Sequence, residues 1–363
     1  MNDREAIRQF FTDYGAAPVG ATPPQPIQPN QDEDMPDRVE LDVEIDAADW
    51  RGLVVPEAPA REGEFPVRFI DGSQANQPVL WLRAPAGWPI PLVLAEVGAV
   101  ALRLNGRRFS REFMAVERIL SFVADPFPWE EVESFASAVS NDSELRLRVV
   151  RANMPDLATH SPFDYEVMRA QARAMCNFQM RVLERLALSA DRSVPSLVDG
   201  PLLRVTGEPD SAGPLLVGVA KEQGVSYLHE QGLRTLLALR PGQRTPVFRI
   251  AGVGGEREAH FAVASWYLKL AGGRRVAPNW GFVRVEVPWN QFLRFGADRG
   301  GFVHRLSRWL IDARCRQDSY ARMPVSLEPI VRAEEVLKPL FTPLDILTHR
   351  LYRQSGMIGS QTP

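Results

Sequence analysis

The tightest constraint on the fold is a strand-rich run, then a long helix, then more strands. PVRFID (66–71), PVLWLRA (78–84) and PLVLAEVGAVALRL (91–104) are apolar and divided by short polar breaks. Such runs read as strands paired to their sequence neighbours. Asn105-Gly106 is a hairpin signal, because both positions tolerate positive φ. SREFMAVERILSFVA (110–124) places apolar residues at helical spacing and predicts a helix. DYEVMRAQARAMCNFQMRVLERLALSAD (164–191) predicts the longest helix of the chain, broken by the stretch from Asp191 to Pro195. SLVDGPLL (196–203) and PLLVGVA (214–220) read as buried strands.

Two of these strands close in the same way. FIDGSQ (69–74) and LVDGPL (197–202) each set Asp-Gly after an apolar pair. An aspartate at the end of a buried strand is costly without a partner, and one such site alone reads as a turn. Two sites, each ending a strand expected to be central, bring two carboxylates face to face if the strands are neighbours. Like charges at that range repel unless a cation lies between them. Hard divalent ions take oxygen ligands, which fits Mg²⁺ or Mn²⁺. Glu184, on the long helix ahead of Asp199, is a third carboxylate. Met180, Leu183, Ala187 and Leu188 surround it, so it is expected to be buried and to need a partner. That partner is Arg181 or Arg185, or a metal shared with Asp71 and Asp199. Glu166 on the same helix is the reserve for this role.

Composition narrows the function classes. With 363 residues, 45% hydrophobic and 24% charged, the chain has the balance of a soluble globular protein with a sizeable core. Its net charge of −3 excludes a basic nucleic-acid coat. Contact with DNA phosphates must come from a local patch, such as Arg103, Arg107, Arg108 and Arg111 around the hairpin. Cys176 and Cys315 stand in no CxxC pair and near no histidine, against a zinc site or a disulfide framework. MNDREAIRQFF lacks the apolar core of a signal peptide, and the longest apolar stretch (89–104) carries Glu96 and Arg103. A cytoplasmic, soluble protein without a membrane span is expected. AGVGGERE is not a phosphate-binding loop, so nucleotide-driven motion would come from a partner. GAAPVGATPPQPIQPNQDEDMP (15–36) reads as a linker. RVELDVEID (38–46) reads as a half-buried strand with an acidic face, suited to a basic partner or groove. Only three residues are lysine (Lys221, Lys269, Lys338), against a large majority of arginine, so each lysine stands out.

Strand with Asp, antiparallel strands, helix with Glu, strand with Asp is the order of an RNase H-like α/β fold. In that fold the first and fourth strands are adjacent and parallel, and their aspartates share metals. Two metals roughly 3.5–4 Å apart suit in-line phosphodiester cleavage. The expected architecture is an RNase H-like mixed sheet flanked by helices, with a strand-rich insertion at about 224–300 and a helical C-terminus. Residues 1–64 form an N-terminal extension and residues 65–357 the catalytic domain.

FIDGSQ, MRVLERLAL, SLVDGPLL, VGVAKEQG and PLDILTHRLYRQSG together resemble the NurA nucleases, over residues 65 to 357. The resemblance implies a manganese-dependent or magnesium-dependent DNA nuclease, 5′-to-3′ exonucleolytic with some endonuclease activity. It implies a homodimer, and a partnership with a HerA-like hexameric ATPase in DNA end resection, repair or anti-phage defence, near the nucleoid. Metal-binding roles fall to Asp71, Glu184 and Asp199. Lys221 would contact phosphate or the nucleophilic water, and His349 would serve the metal site or acid–base chemistry. The C-terminal stretch departs from the family, with Thr342 and Thr348 where Tyr-Pro and Ala-His are usual. An alternative register puts Glu334 in the histidine's place. A catalytically degenerate adaptor of a DNA translocase is the competing reading.

Overall fold

The computed structural model describes residues 2–19, 38–57, 63–161, 165–202, 209–221, 227–228, 230–251, 261–272, 280–316 and 326–358. Most of the 15–36 linker and of AGVGGERE lies outside them. The chain opens with α1 (Asp3–Asp13), where Asn2 and Glu5 form a reciprocal capping box. Short strands β1 (Ala17–Pro18), β2 (Arg38–Glu40) and β3 (Leu53–Val54) precede the long β4 (Arg68–Arg83), β5 (Pro89–Asn105) and β6 (Arg108–Val123). Next come α2 (Trp129–Asn141), β7 (Arg148–Ala152), α3 (Tyr165–Ala190), β8 (Ser196–Asp199) and β9 (Leu216–Ala220). The second half carries α4 (Glu230–Ala238), β10 (Gln243–Arg244), β11 (Phe248–Ala251), β12 (Ala262–Lys269) and β13 (Phe282–Pro288). Helices α5 (Trp289–Leu293), α6 (Arg299–Asp312), α7 (Glu328–Leu337) and α8 (Leu344–Ser355) complete it.

The main sheet runs β2-β11-β12-β13-β9-β8-β4-β5-β6-β7. Within it, β6-β5-β4-β8-β9 is the RNase H-like order, with β4 and β8 parallel, β8 and β9 parallel, and β4-β5-β6 antiparallel. The sheet is mixed, and helices flank it. Helix α3 lays Ala172, Cys176, Leu183 and Ala187 on one face, against Val93, Val97, Ile119 and Val198. On the other face α6 packs Phe302 and Leu306 against Val219, Val285 and Trp266, and α7 packs Ala333 and Leu337 against Val100 and Leu102. Covered on both sides, β5 is buried from Ile90 to Leu102, which is why it reads as an apolar run interrupted only by Glu96.

Three expectations change. PVRFID and PVLWLRA are not separate strands but the two ends of β4. The unbroken β5 pairs with β4 along its whole length, so GSQANQ stays extended between them. Residues 110–124 are strand, not helix: Asn105 is the last residue of β5, and the two-residue turn Gly106-Arg107 returns the chain directly into β6, which buries Ile119, Leu120, Phe122 and Val123. Of RVELDVEID only Arg38–Glu40 is strand. Beyond it, Asp42 and Asp46 accept from the Ala47 and Ala48 N–H groups and turn the backbone. Its acids meet arginines of this same chain, Glu40 with Arg249 and Glu44 with both guanidinium arms of the buried Arg244.

Two buried arginines fix what the site hangs on. Arg68, at the start of β4, donates to the carbonyls of Ala187, Leu188 and Asp191 and to Glu112. It thereby ties β4 to the C-terminal end of α3, where a cation also complements the helix dipole. Arg284 and Glu286 on β13 form a wholly buried ion pair. Glu286 also accepts from the Leu202 N–H, anchoring the chain just after β8.

Candidate metal centre

Register places the two aspartates. Ile70 pairs with Val198 in the parallel β4–β8 ladder, so one step on Asp71 and Asp199 come level. That is the carboxyl end of β8, where open α/β sheets bind ligands. Asp71 does not end its strand. What ends there is its pairing with β8, and the strand runs on with β5 alone.

Glu334, from α7, completes a set of three. Asp71, Asp199 and Glu334 each offer one carboxylate oxygen, and all lie within 4.8 Å of one another. Asp71 is 2% exposed, and its Oδ2 has no hydrogen-bond partner among the described residues. Burial, with the charge of Asp199 next, drives the Asp71 pKa well above the usual carboxylate range. Lys221 follows β9 and stands 2.8 Å from Asp199 and 3.9 Å from Glu334. Burial works to lower its pKa, but Asp199 and Asp71 outweigh that and raise it. Lys338, one helical turn beyond Glu334, donates to it at 2.5 Å. Two of the three lysines in this arginine-rich chain therefore serve one cluster.

Glu184 arrives from the α3 side. It is 1% exposed and accepts from Arg181 at 2.7 Å. Burial raises its pKa against the pull of Arg181, and Asp199 adds to the rise. It lies against Gly72, where a Cβ would stand 2.7 Å from Glu184 Cδ and 2.9 Å from its Cγ. The two Asp-Gly pairs thus differ. Gly72 is extended and leaves room for Glu184, whereas Gly200 turns the chain at φ +124°. Gly72→Ala is expected to cost about 1–3 kcal/mol by overpacking, read as a lower urea midpoint at unchanged slope.

The other candidates lie elsewhere. Glu166 pairs with Arg169, eighteen residues or ~27 Å along α3 from Glu184. His349 is exposed on α8 and lines a separate cleft with Glu144, Asp345 and Arg353. Arg107, Arg108 and Arg111 are exposed at the β5–β6 tip. That tip is ~17 Å beyond the level of Asp71, five residues along β5 from Val100 to Asn105.

The structure is similar to that of the NurA nuclease from Sulfolobus solfataricus, with a TM-score of 0.42 and 10% identity, over 86% of this chain and 89% of that one. No protein-family model matches the chain, and no curated protein matches it. The likeness is distant, and the chemistry of the cluster follows from its own residues. The donor set suits a hard divalent cation: all oxygen, inward-facing, with one buried oxygen left unpaired and like charges closer than they tolerate bare. No helix among the described residues is long and apolar enough to cross a membrane.

Proposed function

We propose that the chain hydrolyses phosphodiester bonds of DNA with a divalent cation held by Asp71, Asp199 and Glu334. The observation that carries this is buried Asp71, with one carboxylate oxygen unpaired, gathered with two further carboxylates at the carboxyl end of parallel strands. Mg²⁺ or Mn²⁺ bound there supplies a Lewis acid for the phosphoryl oxygen and acidifies the attacking water. Glu184 borders the site and adds a fourth negative charge. Lys221 stays protonated beside Asp199, so it acts as a positive charge toward phosphate and not as a base.

The approach to the cluster suits a polymer. Past Ile70 the β8-side edge of β4 has no strand partner among the described residues until Val79, whose carbonyl accepts from the Val19 N–H. Gly72–Pro78 is a half-buried, uncharged strip leading away from Asp71, and the Ile70–Val79 interval spans ~30 Å. A nucleic-acid strand lying there presents its backbone to the carboxylates.

A HerA-like hexameric ATPase as partner, a homodimer, 5′-to-3′ polarity and work in DNA repair or anti-phage defence are the finer parts of this proposal. They rest on the motifs FIDGSQ, SLVDGPLL and VGVAKEQG. The test is cleavage of linear DNA with Mn²⁺ or Mg²⁺, for the wild type and Asp71→Asn, with EDTA as control. Wild-type protein that leaves DNA intact even with its ATPase present makes the adaptor reading the correct one.

A further inference from the structure

Arg181 is the cation of this site whose charge is least used. Its Nη1 donates to Glu184 at 2.7 Å. No other acceptor meets its guanidinium among the described residues, and no nitrogen of it is buried without a partner. Its remaining donors therefore reach solvent. The group also lies over the turn after Asp199: a Cβ on Gly200 would stand 3.3 Å from Nη1 and 3.8 Å from Nη2. Arg181 thus borders the carboxylates from the α3 side, while Lys221 and Lys338 border them from the α7 side.

A planar guanidinium with free donors at the mouth of a carboxylate cluster matches a phosphate, which it binds as a fork. The same charge works against a cation, both by direct repulsion and by neutralising Glu184. We infer that Arg181 is a phosphate-binding side chain of the cleft and that its pairing with Glu184 opposes cation binding, so that cation and nucleic-acid phosphate bind cooperatively. The inference rests on the proposed metal-dependent nuclease reading. An anion that engages Arg181 relieves the opposition and leaves Glu184 to the cation site. By linkage the effect is reciprocal: each ligand tightens the other by the same factor.

The experiment is Mn²⁺ binding, read from the electron paramagnetic resonance signal of the free ion, with and without a cleavage-resistant phosphorothioate oligodeoxynucleotide. In the wild type the oligonucleotide is expected to tighten Mn²⁺ about tenfold, within the usual range of such couplings. Arg181→Gln is expected to bind Mn²⁺ about tenfold more tightly without DNA, to bind the oligonucleotide more weakly, and to lose the coupling. Arg181→Lys keeps the charge without the fork and is expected to retain part of it, which preserves the test if Arg181→Gln does not fold. Unchanged or weaker Mn²⁺ binding in Arg181→Gln, or intact coupling, overturns the inference and leaves the nuclease reading standing. A wild type that binds no Mn²⁺ at all overturns both.

Discussion

Asp71→Asn is expected to remove metal-dependent DNA cleavage by on the order of 10³-fold or more, and at the same time to stabilise the metal-free protein. The first effect follows from the share of the barrier that a metal ion lowers. Several kcal/mol of transition-state charge stabilisation is lost with a ligand of the cation, at tenfold per 1.36 kcal/mol. The second follows from burial. Asp71 is sealed from water with one oxygen unpaired and faces Asp199 and Glu334 within 4.8 Å. Without a cation the fold must either bear the charge repulsion or hold Asp71 protonated, and an amide of the same shape costs neither. The melting temperature of the EDTA-treated variant should therefore rise by about 2 °C or more, as each kcal/mol is worth roughly 2–4 °C in a larger domain. Added Mn²⁺ should stabilise the wild type and do less for the variant. Activity in Asp71→Asn equal to the wild type, or a variant less stable than the wild type under EDTA, would count against a cation site at Asp71.

Asp71 and Asp199 are legible in sequence because both close apolar runs, and a parallel register between two such runs can only bring their ends together. Glu184 is legible as a buried carboxylate from its apolar helical neighbours, and Arg181, with which it forms an ion pair, is one of the partners expected from its position, beside Arg185 and a metal. Glu334 is harder to see. It shares α7 with Arg332, Glu335 and Glu328, which form surface ion pairs, and charge alone does not tell Glu334 from Glu335. The neighbours that do are Ala333 and Leu337, which turn that side of the helix to the sheet, together with Lys338 one turn on. Residues 110–124 mislead because Phe113, Met114, Val116, Ile119 and Leu120 satisfy helical spacing as well as a strand with one buried end. The arbiter was present in Asn105-Gly106, since a two-residue hairpin turn requires a strand on each side. The extent of β4 depends on pairing with β5, a tertiary fact that the polar GSQANQ does not announce.

Arg68→Met is expected to destabilise the fold by about 3–5 kcal/mol, the usual cost of removing one partner from a buried charged network. The side chain is wholly buried, yet every direction of its guanidinium is used. One edge meets Glu112 at 2.7 Å, and the rest meets three carbonyls at the end of α3, including Asp191 at 2.9 Å. Methionine fills much of the volume but donates nothing. It leaves orphaned carbonyls at a buried helix end and one counter-charge fewer for Glu112, which keeps Arg103 at 3.2 Å. The damage should reach the site, because Arg68 fixes the C-terminal end of α3 on the strand that carries Asp71, three residues away. Glu184 sits within two turns of that end. Chemical denaturation should show a lower midpoint with little change of slope. In the fraction that remains folded, Mn²⁺ affinity should fall less than in Asp71→Asn, because Arg68 positions the helix and touches no ligand of the cation. A variant as stable as the wild type would mean that α3 is held to β4 by packing alone.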